Sequence, residues 1–330
     1  MNSFGTIFRV TIWGESHGEC VGVSVDGVPA GIALSVEDFA EDLARRASGR
    51  RGTTPRREAD QPQIVSGVYE GRTTGAPLTV LFENANTRSG DYSNLVRQPR
   101  PSHADLVAQR KFDGANDPRG GGHFSGRLTL GLVAAGVVAK RVIGSEVQFA
   151  TRIAEIGGCA DESRFDEVIE AAMREGDSVG GVVECRVDNV ATGLGEPFFD
   201  SAESTIAHLL FSVPAVKGVE FGAGFEVAKR RGSENNDPII NADGATATNN
   251  DGGINGGITN GNQLVVRAAV KPTPSISRPQ QTFDLESGEV RELQIKGRHD
   301  ACIALRAAVV VESAVAIALA DLWLRHRSRH

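Results

Sequence analysis

The sequence predicts a single α+β domain in which buried helices pack against sheets. Strand-like and helix-like segments are mixed along all 330 residues, without the regular spacing of βαβ units. No Pro- or Ser-rich linker separates two halves, so we expect residues 1–330 to form one domain. The composition, 40% hydrophobic and 23% charged, is typical of a globular protein, and the length allows a large core.

The first quarter of the chain predicts several strands and one helix. Alternating β-prone residues over Gly5–Trp13 indicate a strand, and "ECVGVSVDGVPAG" indicates a second strand that ends in a turn. Ser35 followed by Asp38 resembles a capping box and begins a helix that ends at Arg46. Two further strands are predicted at Ile64–Tyr69 and Leu78–Glu83.

The middle of the chain alternates helices and strands. The S-x-x-D pattern at Ser102 places His103 in the first turn of a helix that ends near Phe112. Residues Leu128–Ile143 are apolar nearly all round, which indicates a buried helix. The remaining predictions are strands at Val147–Ile156, Gly181–Val190 and Gln263–Val270, and helices at Glu162–Arg174, at Ser204–Ser212 and from just after Asp300 to about Leu324.

The sequence indicates a cytoplasmic protein without a membrane partner. Its most apolar stretch, Ala301–Leu324, is interrupted by Arg306, Glu312 and Asp321, so it predicts a buried helix rather than a membrane span. The N-terminal "MNSFGTIFRV" shows no basic region followed by an apolar run. Four scattered cysteines without a C-x-x-C pair suit a reducing compartment and indicate no zinc site.

Charge and glycine clusters point to a small anionic ligand. The net charge of −7 argues against a nucleic-acid partner. Within this acidic chain, "ARRASGRRGTTPRRE" (residues 44–58) concentrates arginines in a segment that Gly and Pro mark as a loop. The "RGGGHFSGR" segment before Leu128 places free N–H groups at a helix N-terminus, where anions bind. Further glycines cluster near Gly252 and Gly256.

The pentapeptide Gly14–Gly18 (GESHG) matches G-x-S-x-G, the nucleophile elbow of serine hydrolases. An elbow requires a strand before the serine and a helix directly after it. Here a second strand is predicted after Gly18, so a glycine-flanked strand connection is the better interpretation. Two alternatives remain open: a serine hydrolase with Ser16 as nucleophile, and a non-catalytic protein that binds an anion or nucleotide.

Three segments together resemble the chorismate synthase family. They are "GESHGECVGVSVDGVPAG", "RPSHADLVAQRKFDGANDPRGGGHFSGR" and "GRHDACIALRAAVVVESA", within a match that extends from Phe4 to about Leu324. The resemblance implies a β-α-β sandwich fold and a homotetramer. It also implies anti-1,4-elimination of phosphate from 5-enolpyruvylshikimate 3-phosphate to give chorismate, the last step of the shikimate pathway, with reduced FMN and no net redox change.

The resemblance also implies roles for individual residues. It assigns catalysis to His17, His103 and Asp300, although the last two also lie where a helix cap would be useful. Substrate contacts are implied for Ser16, Arg46, Arg51 and Arg127. Flavin contacts are implied for His123, Phe124, Ser125, Pro214, Ala215, Gly256, Lys271, Pro272, Thr273, Pro274, Ser275 and Arg298.

Some positions depart from the commoner family pattern. In the glycine loop, His123 and Phe124 replace an arginine and a serine, which weakens the expectation of side-chain contacts there and leaves that of backbone N–H contacts. Pro274 replaces a serine and removes a hydroxyl and a backbone donor. Since no G-x-G-x-x-G fingerprint for NAD(P)H is present, we expect an external flavin reductase to supply reduced FMN.

Overall fold

Two antiparallel sheets enclose a layer of helices. The computed structural model describes residues 1–54, 59–84, 94–295 and 299–329. The described strands are β1 (Ser3–Phe4), β2 (Arg9–Gly14), β3 (Cys20–Asp26), β4 (Gln63–Ser66), β5 (Val68–Tyr69), β6 (Arg72–Thr73), β7 (Leu78–Glu83), β8 (Gln148–Ile156), β9 (Gly181–Asp188), β10 (Val216–Phe221), β11 (Ile254–Asn255), β12 (Ile258–Thr259), β13 (Leu264–Val270), β14 (Gln280–Asp284) and β15 (Glu289–Leu293).

The described helices are α1 (Ala40–Arg46), α2 (Asp105–Lys111), α3 (Thr129–Ile143), α4 (Phe165–Arg174), α5 (Ala202–Ser212), α6 (Gly232–Asn235) and α7 (Ala304–Arg329). One sheet has the order β1-β2-β3-β7-β4 and the other β10-β13-β9-β8. Helix α3 packs on β3 of the first sheet, α7 packs on β8 and β9 of the second, and the two helices pack on each other. The predicted α+β class and its β-α-β sandwich are therefore confirmed.

The two central helices are buried because their surfaces are apolar nearly all round. Helix α7 is long and apolar enough to cross a membrane, yet 83% of its most apolar 18-residue window is buried inside the protein. The prediction of a buried helix is confirmed. Gly136 lets α3 approach α7 closely, since a Cβ at this position would lie 2.4 Å from the Cβ of Ser313.

The charges inside α7 have partners in other elements. The Asp321 carboxylate accepts hydrogen bonds from the N–H groups of Thr6, Ile7 and Phe8 at 2.7–2.9 Å. These bonds stabilise the turn between β1 and β2. The predicted first strand therefore begins at Arg9 rather than Gly5, because residues 5–8 form this turn and Gly5 has a φ of +100°.

Three other predicted boundaries were wrong for local reasons. The predicted strand Ile64–Tyr69 is interrupted at Gly67, whose φ is +85°. Helix α2 begins at Asp105, so His103 precedes its first turn, and Ser102 just before it has a φ of +58°. The last helix continues to Arg329 rather than ending near Leu324. Strand β10 and the β14–β15 hairpin were not predicted.

Candidate active site

A cleft of about 850 Å³ brings together segments that are far apart in the sequence. Its size lies towards the upper end of ligand-binding pockets. The implied site residues that line it are Ser16, Arg46, His103, His123, Phe124, Ser125, Arg127, Pro214, Ala215, Lys271, Thr273, Pro274, Ser275 and Asp300.

The glycine loop Gly120–Gly122 lies between the two implied catalytic histidines. All three glycines have positive φ. A Cβ on Gly120 would lie 2.5 Å from Cδ2 and Nε2 of His17, and one on Gly121 would lie 3.6 Å from Cε1 of His103. His17 is buried against this loop and is not among the residues lining the cleft. The loop therefore sets the position of His17 and the spacing between the two rings.

The GESHG segment is a strand–turn–strand connection. It joins β2 to β3, which pair with each other in the same sheet. The N–H of Ser16 donates to the carbonyl of Gly122 at 3.1 Å, and a ring nitrogen of His123 lies 2.8 Å from the carbonyl of Gly14. Because no helix follows Ser16, the nucleophile-elbow context is absent. The connection instead holds the glycine loop against His17.

Two of the implied substrate-binding arginines share one carboxylate. Asp60 Oδ2 lies 3.4 Å from Nη1 of Arg46, and Asp60 Oδ1 accepts from Nη1 of Arg127 at 2.9 Å. Arg46 also donates to Thr129 Oγ1 at 2.9 Å and to the carbonyl of Gly126 at 2.9 Å. Both guanidinium groups are buried. The result is a pre-organised pair of cations at the wall of the cleft.

Other implied residues do not line this cleft. Arg51 is exposed and forms an ion pair with Glu170 of α4. Gly256 lies in the turn between β11 and β12, and apart from its chain neighbours no atom of the described residues lies within 4 Å of its Cβ position. Pro272 is next to lining residues but is not one itself. Arg298, like Arg56 and Arg57 of the basic segment, lies outside the described residues.

His103 is held by an acidic and a basic neighbour. Its Nδ1 lies 2.7 Å from Oδ1 of Asp105, which also receives bidentate hydrogen bonds from Arg100. Burial alone would raise the pKa of Asp105, but hydrogen bonds from Arg100 and His103 hold it far below its usual range. Asp105 is therefore ionised at neutral pH.

Residues 271–275, which follow β13, contact the residues around His103. Lys271 Nζ donates to the carbonyl of Ser102 at 2.6 Å, and its N–H donates to the carbonyl of Ala215, which has a φ of +76°. Ser275 Oγ accepts from Arg100 Nη1 at 3.0 Å. Thr273 Oγ1 lines the cleft and is buried without a hydrogen-bond partner within the described part of the chain.

His299 and Asp300 also line the cleft. Asp300 accepts from the N–H of Thr54 at 2.9 Å and from Arg306 at 3.2 Å. Burial is the main cause that lowers the pKa of His299, and the positive charge of Arg100 is the second, so this ring is neutral near pH 7. Its Nε2 is buried and has no hydrogen-bond partner among the residues that the structure describes.

Sequence reasoning missed four residues that shape the site: Asp60, Arg100, Asp105 and His299. Arg100 and Asp105 lie in "RPSHAD" and His299 lies in "GRHD", within segments that had already been singled out, and Asp60 follows the basic segment 44–58 by two residues. For Arg100, Asp105 and His299 the available signal was a charged or titratable residue within three positions of an implied site residue, whereas Asp60 lies nine positions after Arg51, the nearest one. This signal could not indicate which of these side chains face the cleft.

The chain is similar to known proteins over nearly its whole length. A family model described as "Chorismate synthase" matches residues 8–324. A chorismate synthase of Chitinophaga pinensis is 58% identical, over 98% of this chain and 97% of that protein. One from Thermococcus kodakarensis is 47% identical, with 98% of each chain covered. A crystal structure of chorismate synthase matches with a TM-score of 0.76 at 28% identity, over 98% of this chain and 93% of that chain.

Proposed function

Because the chain belongs to the chorismate synthase family, we propose that it eliminates phosphate from 5-enolpyruvylshikimate 3-phosphate to give chorismate. This is an anti-1,4-elimination that depends on reduced FMN. One observation carries the proposal: a single cleft gathers His103, Asp300 and the arginine pair Arg46 and Arg127, with His17 directly behind its glycine loop. These side chains supply anion binding and proton transfer at one place.

The arginine pair suits the charges of this substrate, which carries two carboxylates and a phosphate. Guanidinium groups bind such anions through two parallel hydrogen bonds. Asp60 offsets one of the two buried positive charges, so Arg46 and Arg127 together carry a net charge that one anionic group can balance. Ser16 adds a hydroxyl group on the same wall.

The histidines and Asp300 suit the proton movements of the reaction. A departing phosphate needs a proton or a positive neighbour, and His17 can supply either near neutral pH. Asp300 lines the cleft, and the family resemblance implies that its carboxylate would help a bound reduced flavin accept the proton that the substrate loses. Its hydrogen bonds from Thr54 and Arg306 hold it in place.

The cleft residues fit a flavin. Thr273 Oγ1 and His299 Nε2 are buried polar atoms without partners in the described ranges, and both residues line the cleft. They can bond the polar edge of an isoalloxazine ring, while Lys271 contributes positive charge and Ser275 a hydroxyl. Reduced FMN, when bound, would supply electron density beside the ring as the phosphate leaves. Gly256, which lies away from this cleft, remains a proposed contact without such support.

The decisive test is an anaerobic assay with limiting reduced FMN and excess 5-enolpyruvylshikimate 3-phosphate. We expect all of the substrate to become chorismate, because the flavin is regenerated in each turnover. Product that stops at one equivalent of flavin, or full turnover with oxidised FMN and no reductant, would contradict the proposal. An active-site serine probe should leave Ser16 unlabelled, which separates this function from a hydrolase.

Replacing Arg46 with alanine should raise KM strongly, because loss of one charge-assisted contact to an anion costs about 1.5–3 kcal/mol. Arg51→Ala is the matched comparison, since Arg51 is also implied by the resemblance but is paired with Glu170 outside the cleft. Steady-state kinetics on both variants separate two cases. A smaller increase in KM for Arg51→Ala than for Arg46→Ala supports substrate binding by Arg46. Equal increases in KM would require the loop that carries Arg51 to move onto the substrate.

We further propose a cytoplasmic homotetramer that receives reduced FMN from an external flavin reductase. The exposed side chains of Phe198, Phe199 and Phe225 support an assembly, since aromatic residues are enriched at protein–protein interfaces. Light scattering that gives the mass of one chain at micromolar concentration would rule the tetramer out. Turnover of oxidised FMN with NADPH alone would show that no external reductase is needed.

A further inference from the structure

We propose that Asp105 is the positioning residue for His103: it fixes the imidazole with a proton on Nδ1 and so makes Nε2 the nitrogen that acts on a ligand. Neither Asp105 nor Arg100, which holds it, has a role in the function proposed above. The inference concerns the geometry of the ring itself. Only its kinetic consequence rests on the proposed function.

The hydrogen-bond geometry around Nδ1 decides the position of the proton. Nδ1 lies 2.7 Å from Oδ1 of Asp105 and 3.0 Å from Nη2 of Arg100. A ring nitrogen without a proton would direct its lone pair at an ionised carboxylate only 2.7 Å away, which is repulsive. A protonated Nδ1 makes a charge-assisted hydrogen bond instead. Arg100 Nη2 can only donate, so its 3.0 Å contact alone would favour an unprotonated Nδ1. Because Nη2 already donates to the same Oδ1 at the shorter distance of 2.7 Å, the carboxylate decides the tautomer, and both N–H groups share one acceptor.

Asp105 is itself held from several directions. It accepts from the N–H of Arg100 at 3.0 Å, from Nε at 2.7 Å and from Nη2 at 2.7 Å. Arg100 is buried and also donates to Ser275 Oγ from Nη1, which links this group to the segment after β13. Asp105 is therefore a rigid, permanently charged acceptor. A side chain fixed in this way can hold a catalytic imidazole in one tautomer and one orientation.

The opposite edge of the ring is the one available for chemistry. His103 lines the cleft, and its Nε2 lies 3.8 Å from the Cβ position of Gly121 in the glycine loop. With the proton on Nδ1, Nε2 of the neutral ring accepts a hydrogen bond. In the protonated ring, Nε2 donates one. The same atom thus takes up or releases the proton, as a general acid or base requires.

The charged and titratable neighbours leave this assignment unchanged. Lys271 is bound to the carbonyl of Ser102, and the charge of Arg100 helps to lower the pKa of His299. Among the described residues, Asp105 supplies the carboxylate that lies within hydrogen-bond distance of the His103 ring. Without the negative charge of Asp105, the His103 ring should therefore populate both tautomers.

The test is ¹⁵N NMR of the imidazole nitrogens in the histidine-labelled full-length protein, with His103→Gln used to assign one of the seven histidines. At alkaline pH, where histidine rings are neutral, we expect His103 to show a protonated Nδ1 and an unprotonated Nε2. A proton on Nε2 in the unmodified protein overturns the inference directly, whether or not any variant folds and whether or not the enzyme makes chorismate.

The variant Asp105→Asn should show a mixture of tautomers and a kcat lowered by about 100-fold or more, as when an orienting aspartate is lost beside a catalytic histidine. Asp105→Glu should restore part of the kcat. Asp284→Asn is the matched control, because Asp284 is also a buried carboxylate held by arginine, through Arg97, and no histidine of the described ranges is among its partners. An unchanged tautomer and kcat in Asp105→Asn would contradict the proposal.

Discussion

Replacing Gly120 with alanine is expected to lower kcat about 100-fold, because a displacement of a catalytic group by about 1 Å has an effect of this size. The new Cβ would lie 2.5 Å from two atoms of the His17 ring and 2.9 Å from Ser16 Oγ. The ring is buried and cannot move into solvent. Either His17 or the glycine loop must therefore shift. Anaerobic kinetics with reduced FMN would measure the loss.

The matched control is Gly121→Ala in the same loop. Gly121 also has a positive φ, +84° against +60° for Gly120, so both variants carry a backbone cost of about 1–2 kcal/mol. A Cβ on Gly121 would make only an ordinary contact, at 3.6 Å from His103. We expect both variants to lose similar stability in urea while only Gly120→Ala loses most of its kcat. Equal kinetic losses would mean that backbone strain, and not displacement of His17, is responsible.

Replacing Glu312 with glutamine should produce the largest loss of stability. This side chain lies within α7 and binds Arg45 at 2.6–2.7 Å and Lys140 at 2.5 Å. Burial alone would raise the pKa of Glu312, but these two cations lower it from 4.5 to about 2. Since one pKa unit corresponds to about 1.4 kcal/mol, the shift amounts to about 3 kcal/mol of folding free energy at pH 7.

The pH dependence gives this prediction its sign. When folding lowers the pKa of a carboxyl group, that group stabilises the protein fully at pH values above the pKa it has in the unfolded chain, which is near 4.5 for Glu312. That contribution is lost as the pH falls towards about 2. The difference in unfolding free energy between the unmodified protein and Glu312→Gln should therefore be full at pH 7 and shrink between pH 4.5 and 2.

Glu226→Gln is the control for this experiment, because Glu226 pairs with Lys229 on the surface. Exposed pairs of this kind add little to stability. Urea unfolding at several pH values would measure both variants. A Glu312→Gln protein as stable as the Glu226→Gln protein at pH 7 would show that the buried cluster of Asp42, Arg45, Lys140 and Glu312 does not stabilise the fold.

Much of the candidate site could be predicted because its residues lie in short, distinctive segments. His17, His103, Asp300 and Arg127 were indicated by resemblance, and the structure brings all of them to the cleft or, for His17, to the loop behind it. The basic segment was recognised from its arginines, but Arg46 faces inward while Arg51 faces α4. Arg46 is the last residue of α1, and its side-chain orientation depends on where α3 packs. No local sequence pattern predicts that packing.

The sequence by itself determined which segments become buried helices and strands, because the spacing of apolar residues is a local property of the chain. Its glycines also predicted the loop before α3, although not the breaks in the predicted strands at Gly5 and Gly67. Only the tertiary structure decided which side chains meet. Asp60 joins Arg46 to Arg127, and Asp105 with Arg100 orients His103, through hydrogen bonds whose geometry exists only after the sheets and helices have packed. Such contacts depend on distances of a few ångströms between distant parts of the chain, and no local pattern in the sequence predicts those distances.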